Sequence, residues 1–217
     1  MIMSSDEDVN ANGYKSRKEI FVRILISVPI SFSSSYHSIG NADGKSPRER
    51  RTAVMLVQID YDRAAAVGYA EAWAMGRNPR FPDFEGMGGD CTNFASQCVF
   101  AGCGTMNYSP VSGWYCSSLS DRSASWSGVV FLHAFLMGNK SVGPYAEETD
   151  AGALQPGDLV QLGDSDGRFY HTPVVLSVEN GKILVAAHTF NALYRPLSSY
   201  TYSKLRCLHL VGARAYR

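Results

Sequence analysis

The segment Asp90-Cys91-Thr92-Asn93-Phe94-Ala95-Ser96-Gln97-Cys98-Val99-Phe100-Ala101-Gly102 constrains this chain more than any other. Cys91, Phe94, Ala95, Cys98 and Gly102 recur at helical spacing and make one apolar face. The opposite face is polar but uncharged, so protein is expected on both sides. The spacing predicts a central buried helix that opens near Asp90 and closes at Gly102. A second helix is expected over Tyr61 to Gly76, with apolar residues at Ala65, Tyr69, Ala72 and Trp73, stopped by Gly76 and Pro79. A third spans Ser127 to Gly138.

The last third changes period. Gly157 to Leu162 reads as a strand entered from a Pro156-Gly157 turn. His171 to Val178 and Lys182 to Thr189 read as two more, joined by Asn180-Gly181, a strong two-residue hairpin signal. A further strand is expected near Arg206 to Val211. Helices followed by an antiparallel sheet predict an α+β domain. The chain has 217 residues, enough for one domain with a real core over residues 52–217.

Residues 1–51 differ from the rest. An acidic start is followed by Lys15, Arg17 and Lys18, an apolar run from Ile20 to Phe32, and a serine-rich stretch. That order resembles a secretory signal with a cut near Ser33. Arg23 interrupts the run, and the acidic start lies where positive charge belongs, so a disordered or weakly strand-forming tail is the competing expectation. The run is too short to span a membrane. Compartment follows from substrate: extracellular or wall-associated if peptidoglycan is cut, otherwise cytoplasmic.

Lys and Arg number 20, and so do Asp and Glu, which removes the electrostatic footprint of nucleic-acid binding. The five cysteines contain no C-x-x-C pair, which argues against a zinc ribbon. Cys98, Cys103, Cys116 and Cys207 are either reduced, buried hydrophobes or partners in disulfides that leave one thiol over. No local ligand pair supports a metal at Cys91, His171 and His188, and no cofactor is expected.

Cys91 is the candidate nucleophile. A cysteine at a helix N-terminus meets unpaired N–H groups and the positive end of the dipole, which should lower its pKa below about 8.5. Gly89 and Asp90 let the backbone approach a substrate and could form an oxyanion hole with the Cys91 N–H. The bland alternative is a core cysteine that happens to begin a helix. A nucleophilic thiol needs a base, and the base an orienting group. If Asn180-Gly181 is a two-residue turn, Glu179 pairs with Lys182, His171 faces Phe190, and His188 shares the face of His171. A lone strand histidine is otherwise a packed residue. His133 and His209 read as structural, and His37 lies in the tail.

Tyr61 to Ala70, Arg77-Asn78-Pro79 and Gly89-Asp90-Cys91-Thr92-Asn93-Phe94-Ala95-Ser96-Gln97-Cys98 together resemble the bacterial putative amidase domain family. Gly113-Trp114-Tyr115, Ser125-Trp126, Gly157-Asp158-Leu159-Val160-Gln161 and His188-Thr189 continue the likeness over roughly residues 59–200. That family is similar to papain-like cysteine amidohydrolases of the NlpC and CHAP kind. The resemblance implies a papain-like fold, Cys91 as nucleophile, His171 as general base and acid, and His188 as orienting member. Asn191, close to His188, is the alternative third member. Thr172-Pro173 departs from the family pattern, because Pro173 removes a sheet N–H and should force an edge or a bulge. Trp114, Tyr115 and Trp126 either line a substrate cleft or fill the core. By analogy the substrate is a peptidoglycan peptide or another small amide, cut by a monomer through a thioester. An acyltransferase or transpeptidase with the same nucleophile, or a catalytically silent binding module, would carry the same residues.

Overall fold

The computed structural model describes residues 54–217; the expectations for residues 1–51 lie outside the described residues. Four helices and eight strands follow one another in the order β1 (Leu56–Ile59), α1 (Arg63–Trp73), α2 (Cys91–Cys103), α3 (Ala124–Ser127), α4 (Val129–Gly138), β2 (Gly143–Thr149), β3 (Leu159–Gly163), β4 (Phe169–His171), β5 (Val174–Glu179), β6 (Lys182–Ala187), β7 (Ala192–Pro196) and β8 (Lys204–Tyr216). All strand pairs are antiparallel, in the order β1-β8-β3-β5-β6-β7, with β2 added to β8 and β4 to β3. The domain is α+β, with the helices first and most of the sheet after them.

Local chemistry accounts for the helices. Asp62 caps α1, its carboxylate accepting from the Ala65 N–H at 2.9 Å. Ala66, Tyr69 and Ala70 then fall on the buried side. Helix α2 is buried along nearly its whole length and runs one residue past the expected end, closing at Gly104 with φ 66°. Its uncharged polar face meets protein, as expected. Tyr69 Oη donates to Gln97 at 2.6 Å, Trp114 Nε1 to Ser96 Oγ at 3.0 Å, and Trp126 Nε1 to Asn93 Oδ1 at 2.7 Å. Gln97, Ser96 and Asn93 of α2 thus each have a partner, without which they would oppose folding.

The sheet carries two apolar faces. Leu159, Val174, Leu176, Ala186, Leu208, Leu210 and Ala213 join the helices in the main core. Val160, Leu162, Val175, Val185 and Cys207 face the other way, against Leu154, Leu197, Tyr200 and Tyr202. Asn180 and Gly181 both have positive φ, 50° and 75°, as a two-residue hairpin turn with the sheet's twist requires.

The register expected from that turn holds only near it. Glu179 pairs with Lys182, Val178 with Ile183 and Ser177 with Leu184, but a bulge between Val175 and Ser177 shifts the remainder to Val175 with Val185 and Val174 with Ala186. One extra residue in one strand reverses which face each later side chain takes. Pro173 contributes, since the strand expected from His171 to Val178 is cut at Thr172-Pro173 into β4 and β5. Strands β1, β2 and β7 were not anticipated, and β8 extends beyond the expected Arg206 to Val211.

Gly102 sets the distance between α1 and α2. A Cβ there would lie 2.3 Å from the Tyr61 ring and 2.9 Å from the Asp62 carbonyl oxygen, while the Asp62 N–H donates to the Gly102 carbonyl at 2.8 Å. Gly102→Ala should thus cost about 1–3 kcal/mol through overpacking, despite the better helix propensity of alanine. Urea unfolding checks this; an unchanged or raised midpoint would show that the two helices are not in such close contact.

Candidate active site

The site is built around Asp90, the residue before α2. Gly88 and Gly89 lead into it with φ of 104° and 109°, a region that side-chain-bearing residues rarely adopt. Asp90 is fully buried. Its Oδ1 accepts from the Phe84 N–H at 2.9 Å and from Asn93 Nδ2 at 2.7 Å, and its Oδ2 is 2.5 Å from His188 Nδ1. The Arg77 guanidinium lies 3.5 Å from the same Oδ2. Burial opposes ionisation of this carboxyl, but the bonds from His188, Phe84 and Asn93 outweigh it and hold the pKa below the usual carboxylate value.

His188, 1% exposed, lies flat on Phe94 with ring centroids 4.0 Å apart. Its Nε2 is 2.9 Å from the Trp73 carbonyl oxygen. Both ring nitrogens thus face protein oxygens, a carboxylate and a carbonyl. The imidazole ties the C-terminus of α1 to the N-terminus of α2.

Cys91 begins α2 and is 7% exposed. Its Sγ lies 3.8 Å from Thr92 Oγ1, and the backbone of Thr172 and Thr92 favours the thiolate electrostatically. Thr172 Oγ1 is 3.3 Å from Thr92 Oγ1, which ties the β4–β5 link to the start of α2. The expected lowering of the thiol pKa is not found. Burial pushes it up and outweighs those backbone contributions, so the group is a neutral thiol at neutral pH. The dipole argument fails here because desolvation of a charged sulfur costs more than one helix terminus returns.

The two histidines expected to face each other do not. His171 stands opposite Leu162 in the β3–β4 pair, and its ring lies 5.6 Å from that of Tyr200, on the sheet face away from α2. Among the described residues no hydrogen bond joins it to His188 or to Cys91. Burial, reinforced by the nearby Arg195 charge, pulls its pKa down to about 4. Asn191 is held at the surface, its Oδ1 accepting from Arg77 at 3.0 Å.

A comparison with known sequence families matches residues 60–211 to the family described as Putative amidase domain. The chain belongs to that family. It is also 36% identical over 141 residues to the uncharacterized protein YhbB of Bacillus subtilis (strain 168); the match covers 63% of this chain and 44% of YhbB, so it spans less than half of that relative's length. No solved structure matches. Membership assigns amide hydrolysis in general terms. Among the described residues no helix is long and apolar enough to cross a membrane.

The remaining candidates of this amidase divide. Trp114 and Trp126 are fully buried and pack against each other in the core, tilted by 39° with ring centroids 4.9 Å apart, so they offer no surface to a cleft. Tyr115 is half-buried, its ring 5.0 Å from Tyr108. The loop N–H groups proposed for an oxyanion hole are engaged, Gly89 with the Phe84 carbonyl at 3.3 Å and Asp90 with Thr189 Oγ1 at 2.7 Å. The Cys91 N–H, at the first helical position, has no intrahelical acceptor. His133 and His209 pair with Glu148 at 2.8 Å and Asp158 at 3.0 Å. No role is expected from the sequence for Arg77, Thr172 or Thr189, although Arg77 lies in a motif of the family resemblance and the two threonines adjoin the candidate histidines.

His171 makes a pH prediction. Its folded pKa is depressed from 6.5 to about 4, so as pH falls the unfolded chain takes the proton first. The stability it contributes is complete above pH 6.5 and is lost down to about pH 4. Asp90, also depressed, retains its contribution above 3.8 and loses it below, a separate window. Replacing His171 with Gln should flatten the unfolding free energy between pH 6.5 and 4. Equal slopes for the two proteins in that interval would refute the assignment.

Proposed function

We propose that this amidase cleaves its substrate with Cys91 as nucleophile, through a thioester. The observation that carries the reading is the place of the sulfur: Cys91 opens α2, and the adjoining Thr92 Oγ1 meets Thr172 of the β4–β5 link at 3.3 Å. The backbone of Thr92 and Thr172 favours the thiolate that forms once a base removes the proton. The Cys91 N–H, with no intrahelical acceptor, is the first candidate to hold the oxyanion.

His171 is the base. With its pKa at about 4 it is neutral, the form that accepts a proton, throughout the neutral range. It is the chain neighbour of Thr172, whose hydroxyl meets Thr92 at the start of α2. Because its ring lies on the opposite sheet face beside Tyr200, this role requires the short β4 strand next to Pro173 to re-form with the ring toward Cys91, not a side-chain rotation alone. The imidazole then protonates the leaving amine, and as a base it activates the water that hydrolyses the thioester. His188 acts in this scheme on Asp90 rather than on His171. The substrate class is a peptidoglycan stem peptide or a comparable small amide.

A second reading, a binding module with an inert thiol, is favoured by the raised Cys91 pKa and by the position of the His171 ring. Incubation with soluble peptidoglycan fragments, followed by mass spectrometry of newly freed amines, separates the two. Cys91→Ser should lower turnover by at least about 10³-fold with little loss of folding. Cys98→Ser, on the fully buried stripe, should keep turnover but lose about 1–3 kcal/mol of stability. Equal residual turnover in both variants would contradict Cys91 as nucleophile, and no turnover in the wild type would favour the binding module.

A further inference from the structure

The turn after β6 contains two successive non-glycine residues in the left-handed region, Thr189 at φ 55° and Phe190 at φ 69°. Each such residue costs on the order of 1 kcal/mol, and a pair persists only where the surroundings hold it. What holds this pair is the loop in front of Cys91. Thr189 Oγ1 accepts the Asp90 N–H at 2.7 Å. The same oxygen would lie 2.9 Å from a Cβ on Gly89, so the turn leaves room only for glycine there. Its neighbour His188 binds the Asp90 side chain. Two consecutive residues of one turn thus grip both the main chain and the side chain of the residue before the nucleophile. Phe190, 84% exposed, supplies no packing that would explain the strain.

Resting on the assignment of Cys91 as nucleophile, we infer that Thr189 is a positioning residue for acyl transfer. By taking the Asp90 N–H it fixes the Gly89–Asp90 peptide, and with it the loop that borders the Cys91 N–H where an oxyanion forms. The strained backbone brings Oγ1 to the one spot where it can do this. A relaxed turn would leave the Gly89–Asp90 peptide free to rotate, while the Asp90–Cys91 peptide stays held by the Phe94 N–H at 2.9 Å.

The test compares two reactions of the same sulfur. With p-nitrophenyl acetate, Sγ attacks the carbonyl carbon and its proton passes to a base. An oxyanion forms and collapses, the C–O bond breaks, p-nitrophenolate leaves, and an acetyl thioester stays on Cys91. With iodoacetamide, Sγ displaces iodide and no oxyanion arises. Thr189→Val keeps the shape but removes the acceptor, whereas Thr189→Ser keeps the oxygen. Thr189→Val should slow acetylation of Cys91 by about tenfold or more while alkylation changes by about twofold at most, and Thr189→Ser should restore most of the acetylation rate. Equal losses in both reactions, or undiminished acetylation in Thr189→Val, would overturn the role of Thr189 and leave Cys91 as nucleophile. A wild-type ratio of acetylation to alkylation no higher than that of free cysteine would overturn both.

Discussion

The contact between the Asp90 carboxylate and the His188 imidazole is the constraint on which the site depends. It joins residues 98 positions apart and lies fully inside the protein. Two buried groups of this kind are stable together and costly apart, because each alone would leave an unpaired polar or charged group without water. Phe84 and Asn93 complete the carboxylate, and Phe94 and the Trp73 carbonyl complete the ring. The result is a fixed origin for α2, with Cys91 as its first residue.

That fixed origin explains an otherwise unfavourable arrangement of charges. The thiol is neutral because it is buried, and the candidate base is neutral for the same reason. Neither group is activated at rest. In the proposed mechanism, activation is left to the substrate complex, in which a proton would move from sulfur to imidazole. A thiol buried in this way is guarded from chance oxidation or alkylation, since those reactions need the thiolate.

Much of this was legible in the chain. The α2 stripe, the Asn180-Gly181 turn and the uncharged face of α2 each follow from local pattern, and the structure contains them. Strands β1, β2 and β7 escaped because they are short or carry residues that strands avoid, such as Pro144 with two glutamates in β2 and Arg195-Pro196 in β7. The facing of His171 was lost to a single bulge beside Leu176, for which the only local hint was Pro173. Trp114 and Trp126 belong to the core for a reason that sequence spacing does not reveal: their indole nitrogens satisfy Ser96 and Asn93. The partnership of Asp90 with His188 had no local signature, since it forms only when the β6–β7 turn closes over the loop before α2.

The central claim is therefore energetic, and a double-mutant cycle tests it most directly. Unfolding free energies would be measured for the wild type, Asp90→Asn, His188→Gln and the double variant at neutral pH. The account predicts that each single change is strongly destabilising and that the double variant loses far less than their sum, giving a coupling of about 1.5–3 kcal/mol. Additive losses would show that the two side chains merely lie side by side, and that something else fixes the start of α2.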